Sequence, residues 1–152
     1  MTDNVDRATR SRMMAAIRGK DTKPEKIVRR ALYAEGFRYR LHVRGLPGRP
    51  DMVLPKWCAV IFVHGCFWHR HDCRYFRFPK TRRVFWRTKI EGNCARDRYA
   101  ARELLVAGWR IATVWECAVR DATPSAVSGV LARLARWLRS PARRILALKG
   151  PN

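Results

Sequence analysis

The sequence predicts an α/β fold, one mixed sheet with helices on its faces. Two observations carry this. Cys58–Val63 and Arg110–Trp115 are short apolar runs between turn residues, the pattern of strands buried on both faces. Around them lie segments of helical period with their own start and stop signals. A third observation sets the size. With 152 residues, 47% of them hydrophobic, the chain makes one domain with its own core.

In chain order, residues 1–20 read as a basic arm in which Met13, Met14, Ala16 and Ile17 give a weakly helical pattern. Thr22 with Glu25 three residues later is a capping box, and Pro24 sits in the first turn, where it is tolerated. That helix runs to Glu35, with Ile27, Val28, Ala31 and Leu32 as its apolar stripe and Gly36 as its stop. Phe37–Val43 alternates like a half-buried strand, and residues 46–50 are a turn cluster. Asp51–Leu54 is a short strand, turned by Pro55-Lys56 into the run ending at Val63. A Cys/His-rich loop follows to Lys80. Thr81 caps a long helix to Ala107, with Gly92 as the place where it would break. Gly108 ends it before the strand Arg110–Trp115. Asp121–Pro124 opens a final helix with Val127, Val130, Leu131, Leu134 and Leu138 on one face. Three units are expected: the arm 1–20, a main domain 21–140 and a loose tail 141–152.

Charge narrows the function. Lys and Arg number 33 against 12 Asp and Glu, a net +21 at pH 7. Such a surplus points to a polyanionic partner, most often nucleic acid. There is no apolar run long enough for a membrane span and no apolar h-region at the N-terminus. Five cysteines without an export signal fit a reduced, cytoplasmic chain with metal-binding or buried thiols.

The stretch His64–Cys73 holds three of the four histidines and two of the five cysteines. Thiolate and imidazole are preferred ligands of tetrahedral Zn2+, and Cys66, His71 and Cys73 fit a loop wrapped around an ion. Cys117, just past a strand end, is the chosen fourth ligand; Cys58 and Cys94 compete for the place. A closed four-ligand site is structural, which leaves His64 and His69 over. With Asp51 at a neighbouring strand end they suit phosphodiester cleavage. Asp51 is a hard oxygen ligand for Mg2+, and a neutral histidine takes a proton from water near pH 7. Phe67 and Trp68 sit among polar ligands, where they either cover the metal or insert between bases, and Phe85-Trp86 could join them. From Arg70 to Arg110 twelve Lys/Arg, Arg82 and Arg83 among them, face only Asp72, Glu91, Asp97 and Glu103. Basic residues interleaved with rings suit a phosphate-tracking, base-stacking surface.

With these residues in view, the chain resembles the very-short-patch-repair (Vsr) mismatch endonuclease family. The likeness runs through Ala8-Thr9-Arg10-Ser11, Leu46–Asp51, His64-Gly65-Cys66-Phe67-Trp68-His69, Phe85-Trp86, Asn93, Arg96-Asp97-Arg98, Gly108-Trp109-Arg110 and Val114-Trp115-Glu116-Cys117, over residues 5–135. It implies a restriction-endonuclease-like fold and Mg2+-dependent nicking of one strand beside the T of a G·T mismatch left by 5-methylcytosine deamination. It further implies that Asp51 and the Val63 backbone carbonyl ligate Mg2+, that His69 is the general base oriented by Asp97, and that His64 assists at the phosphate. Glu25 would act through a bound water. Cys66, His71, Cys73 and Cys117 would hold a structural zinc. Phe67, Trp68 and Trp86 would insert from the major groove and Met14 press from the minor groove. Where restriction nucleases carry an acidic residue, a spacer and a lysine after the Pro-Asp pair, this chain has Phe62-Val63-His64, a replacement the family shares. The expected partner is mismatched duplex DNA, bound by a monomer on the bacterial nucleoid, with mismatch-repair proteins as further partners. Two other readings belong to other classes: a non-catalytic, zinc-stabilised DNA-binding module, and a restriction-type nuclease that needs no mismatch.

Overall fold

The computed structural model describes residues 6–8 and 21–151. Met14 and most of the basic arm lie outside the described residues. Three helices, α1 (Lys23–Ala34), α2 (Arg83–Val106) and α3 (Pro124–Arg139), pack on four strands, β1 (Met52–Leu54), β2 (Ala59–His64), β3 (Arg110–Trp115) and β4 (Ile145–Leu148). The sheet order follows the chain. β1 runs antiparallel to β2, with Met52 opposite Ile61, while β2, β3 and β4 are parallel.

Side-chain alternation along β2 makes two cores. Ile61 and Val63 face α1 and α3, meeting Val28, Leu32, Leu134 and Leu138. Val60 and Phe62 face the other way, toward Leu104 of α2. The mixed sheet flanked by helices is the α/β fold that the two apolar runs predict, and its α/β/α layering is that of the restriction-endonuclease-like class.

Several elements differ from the sequence reading. Phe37–Val43 forms no strand; only Arg40 bridges to Val53, because His42 (φ 54°) and Gly45 (φ 97°) turn the chain away. α2 passes through Gly92 unbroken and begins at Arg83, after Arg82 in the left-handed region, without a Thr81 cap. Residues 141–152 are not a loose tail throughout: Ile145–Leu148 is the fourth strand, pairing Ile111 with Ile145 and Val114 with Leu148.

Arg110 explains how that strand is held. Its guanidinium is buried and donates to the carbonyl oxygens of Trp137, Leu138, Ser140 and Arg143, and lies over the Trp137 ring at 4.1 Å. It thus satisfies the open carbonyls at the end of α3 and fixes the turn that delivers β4. Arg110→Met should therefore cost about 3 kcal/mol, the scale of charged hydrogen bonds lost in a buried site. Urea unfolding would read this as a lowered midpoint.

Candidate functional site

The strand directions explain why distant residues meet. The parallel strands β2 and β3 end on the same side, and antiparallel β1 begins there. Asp51, before β1, therefore lies beside Val63 and His64 at the end of β2, and Glu116-Cys117 follow β3 to the same edge. A cavity of about 950 Å³ opens at this edge, lined by Glu25, Asp51, Val63, His64, His69 and Asp97 among others.

β1 starts too late to pair with the Val63 N–H, and Asp51 Oδ2 accepts that hydrogen bond instead at 2.6 Å. Burial pushes the Asp51 carboxyl up to about 7; the Val63 bond works against this, and the neighbouring Glu25 carboxyl adds to it. Glu25 is only 2% exposed. Thr22 Oγ caps its N–H, as the capping box requires, but the Glu25 carboxylate turns to the Asp21 N–H (2.9 Å) and Arg29 Nη2 (2.9 Å). Arg29 also reaches Asp21 at 2.7 Å. The result is a pair of carboxyl groups, Glu25 buried and Asp51 half-buried at the cavity, a hard-oxygen donor set of the kind that binds Mg2+.

Opposite them the His64 and His69 rings stack, centroids 3.8 Å apart and planes 4° from parallel. His69 Nδ1 is 2.5 Å from Asp97 Oδ2. Burial pushes His64 down to about 3, and the adjacent His69 adds to this, so His64 is neutral at physiological pH. Parallel ring planes send their in-plane lone pairs side by side rather than toward one point. The triad His64, His69 and Asp97 is therefore suited to moving protons more than to holding an ion.

A second cluster lies behind this one. Ligand atoms of Cys66, His71, Cys73 and Cys117 fall within 4.8 Å of one another. Cys66 Sγ and Cys117 Sγ are 3.6 and 3.5 Å from His71 Nδ1. Cys66 and Cys117 are buried and all five thiols are free. Three thiols and an imidazole this close together are the donor set of a structural zinc site. Cys58, in the left-handed region after β1, and Cys94, whose thiol faces the His69 carbonyl at 3.5 Å, stand apart from it. Burial pushes the Cys66 thiol up and, with help from Lys149, the His71 imidazole down. Trp115 joins the two clusters. It stacks on His71 at 4.1 Å and presents its edge to His64 at 5.3 Å.

Trp115, then, is the ring against the Cys/His cluster. Phe67, Trp68 and Trp86 form their own group, with centroids 5.2 to 5.9 Å apart, half-buried on the cavity wall. Asn93 Nδ2 donates to the Trp68 carbonyl at 3.0 Å. Arg82 and Arg83 are exposed at the start of α2, Arg82 lying over Phe85 at 4.2 Å, and neither lines the cavity. Lys89, Asn93, Arg49 and Arg120 line it without having been singled out for such a place. For Lys89 and Asn93 the signal was present: Trp86, Lys89, Asn93 and Asp97 are spaced three, four and four apart, one face of a helix. Gly48 lines it as well (φ 75°), where a Cβ would overlap Ala100, so only glycine fits that turn.

Residues 2–75 match the family model described as DNA mismatch endonuclease Vsr. The chain is 44% identical to the DNA mismatch endonuclease Vsr of Escherichia coli (strain K12) over 138 residues, 91% of this chain and 88% of that one. It is 48% identical to the Type II nicking enzyme V.XorIIP of Xanthomonas oryzae pv. oryzae, over 80% of this chain and 89% of the other. The nicking enzyme V.NmeAIP of Neisseria meningitidis is 43% identical, over 80% and 86%. No helix among the described residues is long and apolar enough to cross a membrane.

Proposed function

The chain belongs to the DNA mismatch endonuclease Vsr family, and from this we propose that it nicks one strand of duplex DNA beside the T of a G·T mismatch, using Mg2+ at Asp51. It is a DNA endonuclease of mismatch repair. The observation that carries the finer reading is the placing of a carboxyl pair, half-buried Asp51 with buried Glu25, across one cavity from the stacked pair His64 and His69.

Mg2+ at Asp51 would supply positive charge to polarise the phosphate and acidify water. The Val63 carbonyl is its second proposed ligand, supported by strand geometry: a residue's N–H and C=O point to the same neighbour, and the Val63 N–H points at Asp51. Arg29 and the Asp21 N–H hold Glu25 in place, where it acts through water. Asp97 fixes a proton on His69 Nδ1, so His69 Nε2 is free to take one from the attacking water. His64, kept neutral by burial, adds no charge beside His69 and donates to the phosphate. Cys66, His71, Cys73 and Cys117 would hold zinc, which would tie the loop carrying His69 to the end of β3.

Recognition in this account works by deformation. A G·T wobble stacks less well than a matched pair, and unstacking a step costs a few kcal/mol, least where pairing is faulty. Phe67, Trp68 and Trp86 are the proposed wedge, with Met14 entering from the opposite groove. The +21 charge binds any duplex and reads no sequence. Trp68→Ala should thus cut the preference for G·T over matched DNA by roughly tenfold, the scale of one lost stacking contact. Nonspecific affinity and its salt slope should stay unchanged. Arg82→Glu or Arg83→Glu should weaken both duplexes alike and flatten the slope. Fluorescence anisotropy against salt separates the two.

The activity itself is tested on supercoiled plasmid carrying one G·T pair, with Mg2+. Open circles are expected, as befits a relative of Type II nicking enzymes. Linear product would favour a restriction-type nuclease, and binding without cleavage a DNA-binding module.

A further inference from the structure

We infer that residues 149–151 are part of the Cys/His metal centre, with Gly150 closing it by donating its backbone N–H to the sulfur of Cys117. The inference rests on the reading that this cluster holds zinc. β4 runs parallel to β3 and pairs Leu148 with Val114, so the residues after both strands emerge on the same edge. Cys117 follows β3 and Gly150 follows β4. The Gly150 N–H reaches Cys117 Sγ at 3.3 Å.

The approach depends on glycine for space rather than for backbone freedom, since Gly150 is not in the left-handed region. A Cβ at 150 would overlap the Cys117 carbonyl oxygen and press on the carbonyl carbon behind it. That segment is anchored by Leu148, fully buried. It lies directly on Cys117, itself only 7% exposed.

The chemistry gives the contact a purpose. Three thiolates and a neutral imidazole around Zn2+ leave a net negative charge on sulfur. An N–H aimed at one sulfur offsets part of that charge, and the covering backbone excludes water that would protonate the leaving thiolate. The Cys66 N–H does not serve this role, because it goes to Glu116 Oε1 at 3.3 Å.

The test uses the full chain loaded with Zn2+ and measures zinc release into excess chromophoric chelator. Gly150→Ala should keep one zinc per chain but release it roughly tenfold faster, the usual scale for losing a partner of a metal ligand. Gly129→Ala, on an open helix face with no atom within 4 Å of a new Cβ, should release at the wild-type rate. A second readout needs no variant. In wild-type chain loaded with cadmium-113, the Gly150 amide proton should show a scalar coupling to the metal across the N–H···S bond. Should Gly150→Ala fail to fold, the coupling decides alone. Equal release rates, or no coupling, overturn the role of Gly150 and leave the zinc site standing. A full chain that binds no zinc overturns both.

Discussion

Asp51→Ala should abolish strand cleavage, a loss of about a thousandfold or more, while binding to mismatched duplex survives. The carboxylate is the proposed anchor of Mg2+, and the wedge and the basic surface are left intact. The fold should survive as well, since a half-buried carboxyl beside Glu25 is an electrostatic burden in the metal-free chain. The same site gives a pH dependence. Asp51 holds its proton up to about pH 7, so Mg2+ must displace it below that pH. Apparent Mg2+ affinity should weaken by up to tenfold for each pH unit below about 7 and level off above it. For stability the sign is opposite to that of an ordinary salt-bridged aspartate. The folded-state value is raised, so the contribution is complete below the usual carboxylate range and is lost as pH rises through about 7. The urea midpoint of metal-free protein should fall from pH 5 to pH 8. Asp51→Asn should remove that fall. Quench-flow cleavage and urea melts check the two halves separately.

His69→Ala should lower the cleavage rate by 10² to 10⁴ at about neutral pH, the range typical of general-base loss. Added Mg2+ should not restore it, because the group removed accepts a proton and does not hold the metal. Recovery at high Mg2+ would make His69 a ligand. Asp97→Asn should fall in the same direction, because an amide in place of the carboxylate can leave His69 with its proton on the wrong nitrogen. The two losses should be far from additive, since both act through one imidazole.

What the sequence shows of this molecule depends on how local the signal is. β2 and β3 are continuous apolar runs and read directly. β4 is an exposed-edge segment of four residues after Pro141 and two arginines; it becomes a strand because Arg110 fixes the preceding turn and β3 offers a parallel edge. Phe37–Val43 has the alternation of a strand without a neighbour to pair with beyond Arg40. At the site, Cys66, His71 and Cys73 are visible as spacing. Cys117 is reachable because strands that end together bring their following residues together. Glu25 beside Asp51 came only through the resemblance, because a helix cap 26 residues upstream gives no local sign of facing a strand end. Lys89 and Asn93 were within reach as the helical face shared with Trp86 and Asp97. Gly150 was not, because its contact exists only once β4 is in place.

The most direct measurement of the central claim is single-turnover cleavage of end-labelled duplexes that differ at one base pair, G·T, G·C or A·T, with Mg2+ present. The account predicts a single nick in the T-containing strand next to the mismatch. Its rate should exceed that on either matched duplex by about a hundredfold or more, the few kcal/mol saved where the stack is already weak. Equal rates on the three duplexes, or cuts in both strands of the G·T duplex, would contradict it.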